Sequence, residues 1–197
     1  SLQSQIENFD PNGIGEKGKL FGFPFTPDTS RIVVLPVPWE VTVSYQTGTS
    51  RGPRAVLDAS PQLDFYQPDI PDAWQVGISM EHIPEEWISR NETLRNKTEA
   101  YIQWLEEGTY SFRKYEIDNI LSEVNEGSSA MNEWVYNQAK YYLDNNQIPV
   151  VLGGDHSSPL GLIKALNTKY EDFGILQIDA HADLRKAYEG FTYSHAS

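Results

Sequence analysis

Four short apolar runs along the chain predict β-strands. In the first run the apolar residues are consecutive rather than alternating with polar ones, which is typical of a buried strand in a parallel sheet. Proline residues at 36 and 38 are expected to end the first strand. The runs lie at residues 32–35, 73–79, 148–152 and 173–178.

Other stretches space their apolar residues near the 3.6-residue period of an amphipathic helix. Long helices are predicted at 84–108, 115–126 and 128–145, the last with Ser128 or Ser129 as its N-cap. Shorter helices are predicted after Pro53 and over 157–170, because proline is favoured in the first turn.

The order of these elements indicates an α/β fold. The strand at 148–152, the helix at 157–170 and the strand at 173–178 form a βαβ unit, which requires a parallel sheet. Residues 1–30 are rich in Gly, Pro, Asn and Asp and are expected to form an extended surface arm. Since no break in composition follows, residues 1–197 are predicted to be one domain.

Composition narrows the possible functions. The net charge of −13 disfavours nucleic acid and anionic membrane surfaces as partners and is compatible with a small cationic ligand. With no cysteine, any metal site must use His, Asp or Glu, which favours ions such as Mn²⁺ or Mg²⁺ and leaves Zn²⁺ open. With no apolar run of about 20 residues and no signal-peptide pattern, a cytoplasmic location is expected.

Reactive side chains follow two of the predicted strands. His156 follows the strand at 148–152, and Asp179, His181 and Asp183 follow the strand at 173–178. Ligand sites of parallel sheets lie beyond the carboxyl ends of the strands, and a period of two would place the last three side chains on one side of an extended segment. This set predicts a mixed nitrogen and oxygen metal site, although turn and capping residues also have this composition.

Several motifs resemble those of the ureohydrolase family, which includes arginase, agmatinase, guanidinobutyrase and formimidoylglutamase. They are GGDHS at 153–157, DAHADLR at 179–185, YSHAS at 193–197 and, more weakly, TGTSRGPRAVLDAS at 47–60. The resemblance implies a three-layer α/β/α arginase-like fold with a parallel sheet and a centre of two Mn²⁺ ions. It also implies a homo-oligomer, a trimer or hexamer.

The resemblance also implies a role for each matched residue. His156 and Asp183 correspond to ligands of one ion, His181 to a ligand of the other, and Asp179 to a carboxylate that bridges both. His195 corresponds to a histidine near the substrate that transfers protons. Asp155, inside GGDHS, is expected to have only a supporting or turn role. No substrate-binding residue is identified.

The function that follows is metal-dependent hydrolysis of a linear C–N bond in a cationic guanidino compound. An agmatinase-like or arginase-like enzyme would release urea and an amine, with a hydroxide bridging the two metals as the nucleophile. A formimidoylglutamase-like hydrolase and a non-catalytic half domain that binds metal or a partner are the alternatives. A deacetylase-like enzyme with a single zinc ion ranks below these.

The chain departs from the family in one respect. Family members continue for a hundred residues or more beyond the matched region and carry there a further Asp-x-Asp ligand pair and an acidic substrate contact. The fold is therefore expected to be incomplete at the C-terminus, with an open apolar sheet edge. A complementing C-terminal fragment is a possible partner. Alone, the chain is expected to bind two metals weakly or one metal only, and to turn over slowly if at all.

Overall fold

A three-stranded parallel sheet forms the centre of the structure, a computed structural model that describes residues 1–44, 46–108 and 111–197. The strands are β1 (Ile32–Val37), β2 (Ile78–Met80) and β3 (Ile148–Gly153), in the order β2-β1-β3. β1 is central and pairs in parallel with both neighbours. The predicted α/β class with a parallel sheet is confirmed.

Five α-helices accompany the sheet within the described residues. They are α1 (Leu2–Glu7), α2 (Gly52–Ala59), α3 (Glu85–Glu107), α4 (Lys114–Asp144) and α5 (Leu160–Lys169). The predicted helices at 84–108, after Pro53 and over 157–170 correspond to α3, α2 and α5. Short 3₁₀ turns lie at Leu20–Gly22, Thr49–Arg51, Ser60–Gln62 and Ala73–Val76.

The core lies between β1 and the long helices. Val33 and Leu35 of β1 are fully buried in a cluster with residues of α4 and α5. Val37, at the end of β1, packs with Trp39 and with buried residues of α3 and α4. β1 is therefore well covered on the face of Val33, Leu35 and Val37, whereas Ile32 and Val34 on its other face are only partly buried.

The two helices predicted at 115–126 and 128–145 are one continuous helix, α4, so the predicted cap at Ser128 or Ser129 is wrong. Ser128 is instead buried inside the helix. Gly127, inside α4, lies where α3 approaches. A Cβ there would lie 2.5 Å from Cδ1 of Leu94, the end of a flexible side chain, so a larger residue would require Leu94 to shift.

The first thirty residues are not the predicted extended surface arm. They begin with α1 and later fold back onto the body of the protein, where Phe23 and Phe25 are buried beside Trp74. The rings of Phe25 and Trp74 stack with centroids 6.2 Å apart. The high content of turn residues allows the chain to reverse direction, and its aromatic side chains then supply the burial that holds it.

The predicted strand at 173–178 is also wrong, and with it the βαβ unit. The segment is irregular, and Ile175, Leu176 and Ile178 are 64%, 88% and 92% exposed. A strand is stable only beside another strand that satisfies its backbone N–H and C=O groups. No described strand lies next to this segment, so its apolar side chains remain in solvent.

None of the helices in the three described ranges combines the length and the apolar character that crossing a membrane requires.

We predict that Gly161→Ala destabilises the packing of α5 against α4. A Cβ at Gly161 would lie 2.5 Å from the carbonyl oxygen of Asn132 and 2.7 Å from the nitrogen of Tyr136, and backbone atoms cannot move aside as a flexible side chain can. The free energy of unfolding, measured by urea denaturation, should fall by about 1–3 kcal/mol. The matched control is Gly174→Ala, since nothing lies within 4 Å of that Cβ position. An equal effect of both substitutions would contradict the prediction.

Candidate metal centre

The turn after β3 directs His156 outward. The N–H of Asp155 donates to the carbonyl oxygen of Trp39 (2.8 Å), and Oδ1 of Asp155 accepts hydrogen bonds from the backbone N–H and the hydroxyl of Ser157 (2.9 and 2.5 Å). Gly154 has φ of 64°, and a Cβ there would lie 2.5 Å from the carbonyl oxygen of Trp39. The turn therefore needs glycine at this position.

Three of the predicted ligands come together at this turn. Nδ1 of His156 lies 2.9 Å from Oδ2 of Asp179 and 2.5 Å from Oδ2 of Asp183. One candidate ligand atom from each of the three residues lies within 4.8 Å of the others. The sequence motifs at 153–157 and 179–185 thus meet, although they are separated by α5 in the chain.

His181 does not join this group. The segment that carries it is a turn, in which the N–H of His181 donates to Oδ1 of Asp179 (2.8 Å) and Asp183 has φ of 49°. The side chain of His181 is 81% exposed, with Nδ1 3.6 Å from Oδ1 of Asp179. The predicted alternation along an extended segment is therefore wrong, because the turn brings the two carboxylates to His156 and leaves His181 in solvent.

The charge of Asp179 is favoured by this turn. The hydrogen bond from the N–H of His181 is the main cause that lowers the pKa of the Asp179 carboxyl below its usual value, and the neighbouring His156 acts in the same direction. Asp179 is thus held as a carboxylate, the form that binds a cation.

His195 lies beside the same group. Its backbone N–H donates to the hydroxyl of Thr42 (3.2 Å), its Nδ1 lies 3.4 Å from that hydroxyl, and its ring contacts Tyr188 edge-on at 5.0 Å. Burial of the ring lowers the pKa of His195, and the charge of Asp183 opposes that shift. The imidazole is therefore biased toward its neutral form.

Several cavities open at this end of the sheet, and two of them have Asp183 on their walls. One, of about 490 Å³, is lined by His181, Asp183, Arg185, Tyr188 and His195 among others. The other, of about 510 Å³, has His156 and Asp183 on its wall together with the exposed apolar residues of 175–178. Asp183 lines both, so the three-residue group lies where the cavities adjoin.

The segment that follows β1 supports both parts of the site. Trp39 accepts a hydrogen bond from the turn that carries His156, and Thr42 holds His195. Sequence reasoning did not identify this segment as part of the site. The strand-end rule could have found it, because residues 39–42 follow the carboxyl end of β1 just as His156 follows β3.

The residues fit a divalent cation. One imidazole nitrogen and two carboxylate oxygens make the mixed donor set that Mn²⁺ and related ions accept. Binding of metal by His156, Asp179, His181 and Asp183 stays a prediction.

Comparison with known proteins assigns the family. A family model described as the arginase family matches residues 30–197. The chain belongs to the arginase family. It is 32% identical over 183 residues to an N(1)-aminopropylagmatine ureohydrolase of Thermus thermophilus, covering 90% of this chain and 49% of that protein. It is 28% identical over 170 residues to an agmatinase of Bacillus cereus, covering 86% of this chain and 46% of that protein.

Solved structures agree on the fold. The agmatine ureohydrolase of Thermoplasma volcanium superposes with a TM-score of 0.60 at 19% identity, covering 98% of this chain and 50% of that one. A structure from Clostridium difficile gives a TM-score of 0.56 at 20% identity, covering 87% of this chain and 49% of that one. The arginase-like fold class is confirmed, and the chain spans about half the length of the family members it matches.

We predict that Asp155→Asn stabilises the metal-free protein near neutral pH. Burial, reinforced by repulsion from Glu40, raises the pKa of Asp155 to about 6, against the bonds from Ser157 that lower it. The folded state thus binds this proton more tightly than the unfolded state, so wild-type stability falls as pH rises from about 4 through 6. Asparagine does not ionise, and its Oδ1 can keep both bonds to Ser157.

Urea unfolding at pH 4 and pH 7.5, with a chelator present, measures the effect. The stability of Asp155→Asn relative to wild type should rise by about 2–3 kcal/mol between these values, from the shift in pKa of the buried carboxyl. A difference that does not change with pH would show that Asp155 ionises as easily folded as unfolded.

We also predict the response of His195 to a change at Asp183. NMR titration of the metal-free protein should give His195 a pKa below its usual value of 6.5, because burial disfavours the imidazolium. Asp183→Asn removes the negative charge that opposes this shift and should lower the pKa of His195 further. A rise in that pKa would contradict the arrangement of the two side chains.

Proposed function

We propose that this chain carries half of the active site of a metal-dependent hydrolase. It would cleave a linear C–N bond of a guanidino compound and release urea and an amine, as an agmatinase-like enzyme. The observation that carries the proposal is the convergence of His156, Asp179 and Asp183 beside a cavity that also contains His195. Family membership and the names of the relatives support the reaction class.

Mn²⁺ is the ion we propose for the three-residue group. His156 would hold it through nitrogen, and Asp179 and Asp183 would hold it through oxygen. When bound there, a divalent ion would lower the pKa of a bound water molecule. This water supplies the nucleophile that hydrolysis of a guanidino group requires at neutral pH. The described residues gather three donors, which supports one ion rather than two for this chain by itself.

His195 would handle the proton. Its pKa is lowered, so at neutral pH the ring has a free nitrogen that can accept a proton. It can then deliver that proton to the leaving amine nitrogen, because both events take place in the cavity that it lines. The hydroxyl of Thr42 accepts a hydrogen bond from the backbone N–H of His195 and also faces the Nδ1 of that residue. These contacts restrict the direction in which the ring can transfer a proton.

A cationic substrate is supported by the charge of the whole chain rather than by the wall of the cavity. The chain carries a net charge of −13, whereas the wall has both Asp183, which would hold the metal, and the cationic Arg185. A volume of about 490 Å³ is of the size that holds a small molecule. We therefore propose agmatine or an extended guanidino amine as substrate, since relatives are named for agmatine and for its N(1)-aminopropyl derivative.

Metal titration followed by a substrate panel tests the proposal. Isothermal titration with Mn²⁺ should show binding by the wild type and at least about tenfold weaker binding by His156→Ala, because the only nitrogen donor among the three converging residues is lost. His82→Ala is the matched control, because His82 is exposed and lines a different cavity.

Urea release from agmatine, N(1)-aminopropylagmatine and arginine with Mn²⁺ then reports the reaction. The chain is tested alone and as part of a full-length relative that carries the same residues. Absence of Mn²⁺ binding by the wild type would overturn the proposed metal centre. Formamide release from a formimino compound without urea release would replace the guanidino substrate class. Binding of metal with no turnover in either form would favour a non-catalytic role.

A further inference from the structure

We propose that Glu40 is a positioning residue for the metal centre. It would act by clamping the loop at 46–50, which in turn holds the turn that carries His156. The inference rests on the proposed function in that it concerns the same site. Nothing in the motifs at 153–157, 179–185 or 193–197 includes Glu40, which lies just after the end of β1.

The clamp is made by one oxygen atom. Oε2 of Glu40 accepts hydrogen bonds from the N–H of Gly48 (2.8 Å) and the N–H of Ser50 (3.0 Å). Glu40 is only 6% exposed, so water competes little for this carboxylate. Hydrogen bonds that end on a charged, buried acceptor are about twice as strong as neutral ones.

The residue between the two clamped amides reaches the site. The hydroxyl of Thr49 donates to the carbonyl oxygen of Gly154 (3.0 Å), and the N–H of Gly154 donates to the carbonyl oxygen of Thr49 (3.4 Å). Gly154 is two residues before His156. By holding Gly48 and Ser50, Glu40 also holds Thr49 between them. Thr49 is the hydrogen-bonding partner of Gly154, where the turn that carries His156 begins.

Glu40 is itself held rigidly. Its backbone N–H donates to Oδ1 of Asn91 on α3 (2.8 Å), and Asn91 is 5% exposed. The preceding residue, Trp39, accepts the N–H of Asp155 (2.8 Å). The His156 turn is thus bound at Asp155 by the backbone next to Glu40 and at Gly154 by the loop that the Glu40 side chain clamps.

Burying the carboxylate of Glu40 is unfavourable in itself. Asp155, whose N–H is bonded to Trp39, is buried as Glu40 is, so two acidic side chains are removed from water in this region. The arrangement is unfavourable for both charges unless the hydrogen bonds compensate. Gly48 has φ of 125°, a conformation reserved for glycine, which brings its N–H to the carboxylate. The backbone conformation of the loop at 46–50 therefore suits its hydrogen bonds to Glu40.

Two substitutions separate positioning from general stability. Glu40→Ala removes the acceptor of both amides and should weaken Mn²⁺ binding about tenfold, the effect expected when support of a ligand is lost. Glu40→Gln can place its amide oxygen where Oε2 lies and accept both N–H groups, so Mn²⁺ affinity should stay within about threefold of wild type. Isothermal titration measures both.

Hydrogen exchange of the metal-free protein gives a second readout. The amides of Gly154 and Asp155 are hydrogen-bonded to Thr49 and Trp39, so exchange in residues 153–156 should be at least about tenfold faster in Glu40→Ala and near wild type in Glu40→Gln. Ser79→Ala is the control for lost stability. Ser79 lies on β2, a strand that does not carry the site, and its replacement removes a buried hydrogen bond with the hydroxyl of Ser30 (2.8 Å).

The outcomes separate this inference from the proposed function. If wild type binds no Mn²⁺, the proposed function fails, while exchange in 153–156 still decides whether Glu40 positions the turn. If Glu40→Ala leaves exchange and Mn²⁺ affinity unchanged, the positioning role is overturned. The same applies if Ser79→Ala reproduces the changes, or if Glu40→Gln is as impaired as Glu40→Ala.

Discussion

The structure depends on how the chain satisfies its backbone after it leaves β1. Residues 39–42 are buried but belong to no strand, and Trp39 and Val41 are 1% and 0% exposed. Buried N–H and C=O groups without partners would destabilise the fold by about 1–3 kcal/mol each. α3 provides the partners from one face, at positions spaced by four and three residues, through the side chains of Asn91, Arg95 and Thr98.

This requirement connects the core to the site. The polar face of α3 fixes the backbone of 40–43, and that backbone in turn fixes the His156 turn through Trp39 and His195 through Thr42. α3 and α4 also pack directly against one another, where Gly127 of α4 lies against Leu94 of α3. The geometry of the metal-binding group is consequently inherited from helix packing rather than from the site residues alone.

The sequence predicted the parts of this arrangement that depend on local pattern. The apolar runs located β1 and β3, and the strand-end rule located His156. The run predicted as a strand at 73–79 was largely wrong, because Ala73–Val76 form a 3₁₀ turn and β2 begins only at Ile78. Prediction from the sequence failed where the local structure depends on a residue that is distant in the chain. A continuous apolar run at 173–178 has the composition of a strand, but pairing requires a neighbour that composition does not reveal. The helix start predicted at Ser128 or Ser129 was wrong because a serine caps a helix only where the chain is not already helical, and here the helix has continued from Lys114.

The site was predictable in content and less so in shape. Motif resemblance named His156, Asp179, Asp183 and His195, which the structure places near one another. The turn that separates His181 from Asp179 depends on a hydrogen bond between a backbone N–H and a carboxylate, which strand periodicity does not anticipate. Glu40 escaped notice because its function would be exerted through backbone amides, and these leave no pattern of side chains in the sequence.

The exposed residues 175–178 have a consequence for the behaviour of this chain in solution. An irregular, exposed apolar segment can form strand pairs between molecules, and β3 offers an edge that pairs with no other described strand. Two copies that collide would then bury Leu176 and Ile178 in a contact between molecules. Colloidal stability would rest on the net charge of −13, whose mutual repulsion weakens as salt is added. High ionic strength would consequently shorten the lifetime of the dispersed protein.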